Sequence, residues 1–338
     1  MDGHFLPSRR RLLQAGSALA LGAAVPGALA QKTRELRYGH MNPPNSAAGM
    51  QAQWLADLVE KNTGGQIRIR VYPSSQLGKM QEMAEATSMG TIALSHNTAG
   101  GTGSLYEPFA ALDTPYLYRD VEHLLKVTDV DSPVMQTLNK GLVDAAGVRV
   151  LYTYYFGTRH LTANKPVRTP ADLAGVKIRA LPFPISMTAV EGLGAVPVPV
   201  DWSEVPTALA TGQVAGQENP VNTVLSSKLY ESQSHLMLTG HIMNPHVIII
   251  NEDLWQGFTP EQRDAISRAA LEVRKRASAM VLQQEADELE QLRKLKMTVI
   301  GPDDGLQLDA FKASVKKLVD ERFTDKFGNL YRQIAAIQ

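Results

Sequence analysis

The chain has 338 residues, its 34 lysines and arginines balance 34 aspartates and glutamates, and 44% of its residues are hydrophobic. A neutral balance leaves no positive footprint for nucleic acid or an anionic membrane surface, and the length allows one large or two medium domains. Cysteine is absent, which excludes disulfide staples, thiol catalysis and cysteine-ligated metals.

The N-terminus reads as a leader. Arg9, Arg10 and Arg11 precede an apolar Ala/Gly-rich run over residues 12–25, and Ala28-Leu29-Ala30 gives a small-x-small cleavage site before Gln31. The run is shorter than the ~20 residues a spanning helix needs, so residues 1–30 are expected to be a removable signal peptide and not an anchor. The arginine pair favours twin-arginine (Tat) export, with Sec as the alternative. Removing the leader takes three arginines and Asp2, leaving 31 basic and 33 acidic side chains. No second long apolar segment follows, so the mature chain is not expected to be membrane-embedded.

Residues 36–41 read as a strand and residues 45–62 as an amphipathic helix with Trp54, Leu55, Leu58 and Val59 inward. Gly64-Gly65 ends that helix, residues 66–72 alternate as a second strand, residues 79–89 form a helix before Gly90, and residues 91–95 form a third strand. This β-α-β-α-β opening predicts a parallel, doubly wound sheet. The Gly/Thr-rich residues 97–104 lack both GxGxxG spacing and a following Lys-Ser/Thr, which argues against a nucleotide site. Residues 121–146 read as mostly helical with Gly147 as cap, and residues 148–156 as a strand leaving a first lobe. Residues 157–240 carry short strands, proline-rich corners and a helix near 184–193, fitting a second lobe. Residues 243–250 return as a buried strand. Thr259-Pro260-Glu261-Gln262 is a capping box opening a helix to about Lys296, roughly 50 Å long and able to bridge two lobes. Its apolar positions lose heptad spacing by Gln284, which argues against a coiled coil.

Functional signals follow three strands. Val176, Ile178 and Ala180 alternate with Lys177, Arg179 and Leu181, and Pro182 and Pro184 stop that strand, placing Arg179 near its end, where α/β sheets open into ligand crevices. A guanidinium offers a planar, permanently charged fork matched to a carboxylate. A surface Arg paired with a neighbouring acid is the alternative. The aromatic run 152–156 leads to Gly157-Thr158-Arg159, a second arginine read as lying just past a strand. Residues 214–220 read as a strand then a loop ending in Asn219 before Pro220, an amide able to donate and accept. No GxSxG, HExxH or Walker motif is present, so an enzyme is not expected. His235, His241 and His246 share no helical face and read as isolated polar or core residues; His241 is expected at the cleft mouth.

In these residues the chain resembles the solute-binding proteins of TRAP (tripartite ATP-independent periplasmic) transporters, the family of dicarboxylate and sialic-acid binders. The markers are Thr63-Gly64-Gly65-Gln66-Ile67, Tyr72-Pro73-Ser74-Ser75-Gln76-Leu77-Gly78, Gly157-Thr158-Arg159, the run from Asp172 to Arg179, Ser203-Glu204-Val205 and Gly216-Gln217-Glu218-Asn219-Pro220. The resemblance implies an α/β, two-lobe, periplasmic-binding-protein-like fold of type II character with a long helix bridging the lobes. The expected division is a signal peptide at 1–30, lobe 1 at 31–156 and lobe 2 at 157–244. Residues 245–284 return to lobe 1 with the long helix, and residues 285–338 end that helix and pack on lobe 2. It further implies a periplasmic, monomeric receptor without cofactor that hands an organic acid to integral-membrane transporter subunits. A sensor feeding a kinase is the alternative. Arg179 would be the principal carboxylate ligand, with Arg159 and Asn219 in support and Trp202 against the ligand. Lys79-Met80 and Asn97-Thr98 stand where several sugar-acid members carry acidic residues. This favours a small keto, hydroxy or aromatic monocarboxylate, with His40, Asn42, Gln76 and Asn97 as hydroxyl partners that keep a sugar acid open. Met41 and Met80 read equally as ligand contacts or core.

Overall fold

The first strand, β1 (Arg34–Gly39), pairs in parallel with β2 (Ile67–Tyr72) through α1 (Ala47–Asn62). Ser46 starts that helix by accepting the Gly49 N–H on its hydroxyl, so one of the orphan donors of the first turn is satisfied. Apart from Met1, the computed structural model describes residues 33–338; the expected leader, its arginine pair and its cleavage site lie outside the described residues. α2 (Met80–Ser88) and β3 (Leu94–Thr98) complete the opening unit, with β3 also parallel to β1. β3 starts three residues later than the sequence suggests, because residues 91–93 form a bend after the helix.

A short α3 (Ala99–Thr102) follows, then α4 (Val121–Val127) and α5 (Pro133–Ala146). The sequence reads 121–146 as mostly helical; the structure breaks it at Thr128–Ser132, where Ser132 caps α5 and Pro133 occupies its first position. Gly147 ends α5 at φ +60, the left-handed cap that glycine adopts without Cβ strain.

Two long strands then carry the chain between lobes: β4 (Val148–Ala163) and β8 (His235–Asn251) run antiparallel along most of their lengths. Between them in sequence come β5 (Lys177–Ala180), α6 (Pro184–Gly192), β6 (Val196–Pro199), α7 (Val205–Ala210), β7 (Gly216–Pro220) and α8 (Val221–Ser226). Arg159 is therefore inside a strand and not beyond one. Gly157, at φ +125, bends β4 and shifts its register on β8 between Tyr155 and Thr158, but the ladder resumes at once. Asn219 likewise sits in β7, opposite His160. The alternation expected around Arg179 is absent: Ile178, Arg179 and Ala180 are all buried, as befits a strand with neighbours on both sides and layers on both faces.

α9 (Glu252–Gln256), α10 (Pro260–Lys294), β9 (Thr298–Ile300) and α11 (Leu308–Ala336) finish the chain. The strand order is β2-β1-β3-β8-β4-β7-β5-β6, with β9 added to β8. The first lobe's core gathers Leu36, Leu55, Val59, Leu94, Tyr152 and Ile249; a second cluster holds Ile178, Val190 and Phe311, and a third Val205, Val224 and Leu236. α10 begins on the expected capping box, Thr259 Oγ1 accepting from Gln262 N and Gln262 Oε1 from Thr259 N. It buries Ile266, Val273 and Val281 in the first core and Leu292 in the third, so it bridges the lobes. α11 also crosses, with Phe311 and Val315 in the second core and Ile334 in the first. Among the described residues, no helix is long and apolar enough to cross a membrane.

Candidate ligand-binding cleft

Arg179 stands at the centre of the site. β5 is pinned between β6 and β7, so the side chain leaves a rigid element. It is 1% exposed, its Nε donates to the Val200 carbonyl at 2.8 Å, and its buried Nη2 has no hydrogen-bond partner. Among the described residues no carboxylate forms an ion pair with it, in contrast to Arg159. Burial brings its pKa down to about 10, with the charge of Glu218 opposing. Trp202 covers the guanidinium, its ring centroid 5.8 Å from the central carbon. A dry cation with open donors is costly to maintain, and an entering anion removes that cost.

Arg159 is placed differently. Its Nε and Nη2 clamp the Glu218 carboxylate, the latter at 2.7 Å; Nη2 also donates to the Glu218 carbonyl at 2.6 Å, and Nη1 to Asn244 Oδ1 at 3.2 Å. Burial pushes Glu218 up, but Arg159 and His241 outweigh it and hold the carboxyl at about 2. His241 Nε2 lies 3.1 Å from the same carboxylate and is fully buried, not at a cleft mouth: the β8 strand that carries it runs through the sheet centre. Sequence reading missed Glu218 because it took residues 214–220 for a strand running into a loop; only strand pairing sets Glu218 beside Arg159.

These residues face a small cavity of about 30 Å³. Its lining is made by Arg159, Arg179, Leu181, Trp202, Asn219 and Thr223 together with Met41, Asn42, Met80, Thr98, Phe156 and His246. Of the residues singled out from sequence, Arg179, Arg159, Asn219, Trp202, Asn42 and Met80 thus meet at one place. His40 and Asn97 do not line it. Both are buried one position before lining residues, with both His40 nitrogens and Asn97 Oδ1 unpartnered. Gln76 is exposed on the turn after β2 and is not part of the cavity wall. Asn219 Nδ2 donates to Gln217 Oε1, which orients the amide. Phe156, Leu181, Thr223 and His246 were not foreseen, and Thr98 was noted only as Asn97's neighbour. Thr98 and His246 are paired residues of β3 and β8, a juxtaposition no local pattern encodes.

The lips of the cleft are joined by Lys79, at the start of α2, whose Nζ lies 2.7 Å from Asp201 and 3.1 Å from Glu204 beside Trp202. At the back, Glu285 of α10 accepts the Thr158 N–H at 3.1 Å and the Tyr155 hydroxyl at 3.2 Å, where β4 is bulged. Its carboxylate supplies an acceptor where the strand ladder is interrupted. Among the described residues, no group of histidines and carboxylates has the proximity to hold a metal.

A family model described as bacterial extracellular solute-binding protein, family 7, matches residues 38–326. A solute-binding protein from Verminephrobacter eiseniae is 34% identical over 326 residues, 94% of this chain and 96% of its own length. A TRAP periplasmic solute-binding protein from Bordetella bronchiseptica, with density assigned to pantoate, superposes with TM-score 0.84 at 31% identity over 90% of this chain and 100% of that one. Another, from Polaromonas sp. JS666 bound to D-erythronate, gives TM-score 0.83 at 32% identity over 90% of this chain and 98% of that one.

Proposed function

Because this chain belongs to the bacterial extracellular solute-binding proteins of family 7, the binding subunits of TRAP transporters, we propose that it captures an organic-acid anion on the Arg179 guanidinium and delivers it to a TRAP-type secondary transporter. The observation that carries the contact is the buried, acid-free guanidinium whose Nη2 has no partner in a cleft between two lobes. A ligand carboxylate completes that fork, and Arg159, already clamped by Glu218, holds the cavity floor in shape. Asn219 offers its remaining N–H and Oδ1 to the carboxylate or to a neighbouring hydroxyl, and Trp202 closes over the ligand. The first-lobe residues Met41, Asn42, Met80 and His246 set selectivity.

The cavity lining, one open guanidinium among amide, hydroxyl and apolar side chains, suits a small hydroxy, keto or aromatic acid or a short sugar acid. Pantoate and D-erythronate, named for the neighbouring proteins, have this chemistry. Ligand contacting both lobes favours the closed arrangement, and closure is the state the membrane subunits read. The arginine-led N-terminus and Ala28-Leu29-Ala30 support export through a cleaved leader, by the twin-arginine route. A thermal-shift panel of organic acids, followed by calorimetry on wild type and Arg179→Ala, tests the reading: acids that raise the melting temperature should lose binding in the variant. An acid that binds both proteins equally overturns it.

A further inference from the structure

The first-lobe side of the cavity carries polar residues but no charge, and hydrogen bonding holds it so. Asn244 donates from Nδ2 to Asp113 Oδ1 at 2.8 Å, which fixes its Oδ1 as the acceptor facing His246 Nε2 at 3.1 Å. His246 therefore carries its proton on Nε2 and presents Nδ1 as an acceptor to His96 Nε2, 2.7 Å away. His96 in turn has a bare Nδ1, and that atom is buried without a partner. Phe156 stacks on His246 with centroids 3.6 Å apart, locking the ring plane that lines the cavity.

We infer that the oriented chain Asp113–Asn244–His246–His96 keeps this wall uncharged, so the site selects acids with a single negative charge and an uncharged far end, and rejects the dicarboxylate of equal length. The inference rests on Arg179 as the carboxylate anchor. Charging His246 would reverse the chain: Nδ1–H would point at His96 Nε2, and His96 would have to carry its proton on Nδ1, stranding a buried donor. The groups facing the pair give no relief. Arg159 Nη1 shares Asn244 Oδ1 with His246, Tyr154 lies 3.3 Å from His96 Nε2, and His40 is a neutral ring 6.4 Å from His96. Burial holds His40, His96 and His246 below the ordinary imidazole range.

The charge inventory agrees. Arg159 is neutralised by Glu218, and at the lips two acids, Asp201 and Glu204, face the single Lys79. Among the charged residues of the cavity wall, Arg179 alone lacks an acidic partner within the described residues, and one cation matches one carboxylate. A second carboxylate would lie against Met41, Met80, Phe156 and a neutral imidazole, giving up its hydration without a counter-charge.

Two measurements decide the matter. Nitrogen-15 NMR of the imidazoles at pH 7 should find His96 and His246 protonated on Nε2 only; an imidazolium signature on either overturns the inference whatever the ligand. Calorimetry with matched pairs (D-erythronate with meso-tartrate, glycerate with tartronate, 4-hydroxybutyrate with succinate) should find every dianion at least about a hundredfold weaker than its monoanion partner. A dianion that binds as tightly as its partner overturns it too. If that dianion's binding is lost in Arg179→Ala, the carboxylate anchor survives and only the selection for one charge falls. Binding untouched by Arg179→Ala removes the anchor instead.

Discussion

Replacing Arg179 by methionine should separate binding from folding. The guanidinium has one settled bond, Nε to the Val200 carbonyl, and its Nη2 is buried without a partner. A bound carboxylate completes two charge-assisted hydrogen bonds at about 1.5–3 kcal/mol each, so their loss is about 3–6 kcal/mol, roughly a 10²–10⁴-fold fall in affinity. The unliganded protein should fare differently. Methionine gives up the Val200 bond, about 1 kcal/mol, and also removes an unsatisfied buried donor that costs about 1–3 kcal/mol. The two nearly cancel, and the melting temperature without ligand should stay within about 3 °C of wild type. Arg179→Lys keeps the charge without the planar fork and should fall between the two. Isothermal calorimetry measures the affinities and calorimetric unfolding the stabilities. Affinity of Arg179→Met within threefold of wild type would refute the reasoning, because the open donors would then face something other than the ligand.

Glu218→Gln leaves Arg159 buried without its carboxylate, and removing one partner of a buried pair costs about 3–5 kcal/mol; urea unfolding should register it, and a loss under 1 kcal/mol would contradict the clamp. Asp113 makes a pH signature: burial raises its carboxyl from 3.8 to about 6, against the pull of the Gly100 N–H and Arg159. Between those values the folded chain holds a proton the unfolded chain has lost, so this group's contribution to stability falls as pH rises from 3.8 to 6 and is flat above. Relative to wild type, Asp113→Asn should therefore look better at pH 7 than at pH 4 by about 2.4 kcal/mol, and equal differences at the two pH values would sink this. Lys79→Gln cuts the contact across the lips to Asp201 and Glu204; being half-exposed, it should speed ligand release only about two- to fivefold, less at high salt, as stopped-flow dissociation can show.

Local pattern alone carried much of this protein. The β-α-β-α-β opening, the Gly147 cap, the turn before Arg179 and the Thr259 capping box each rest on a few adjacent residues whose backbone preferences are strong, and each appears where expected. Element ends were less legible. β4 continues through Gly157 because β8 and β7 supply partners beyond it, and residues 216–220 become a strand only when β4 and β5 lie alongside. The buried state of both neighbours of Arg179 follows from that same enclosure.

Sequence by itself determined which chemical groups the cleft could use: an arginine leaving a proline-stopped strand, a second arginine, an amide, an indole, and no nucleophile or cysteine. Tertiary structure decided their roles. It took Arg159 up with Glu218 and left Arg179 open, set Gln76 on the surface, and brought His246 and Phe156 to the wall from two antiparallel strands. The physical reason is range: backbone preference acts over a few residues, whereas which charge is neutralised depends on atoms about 60 positions apart meeting through strand register.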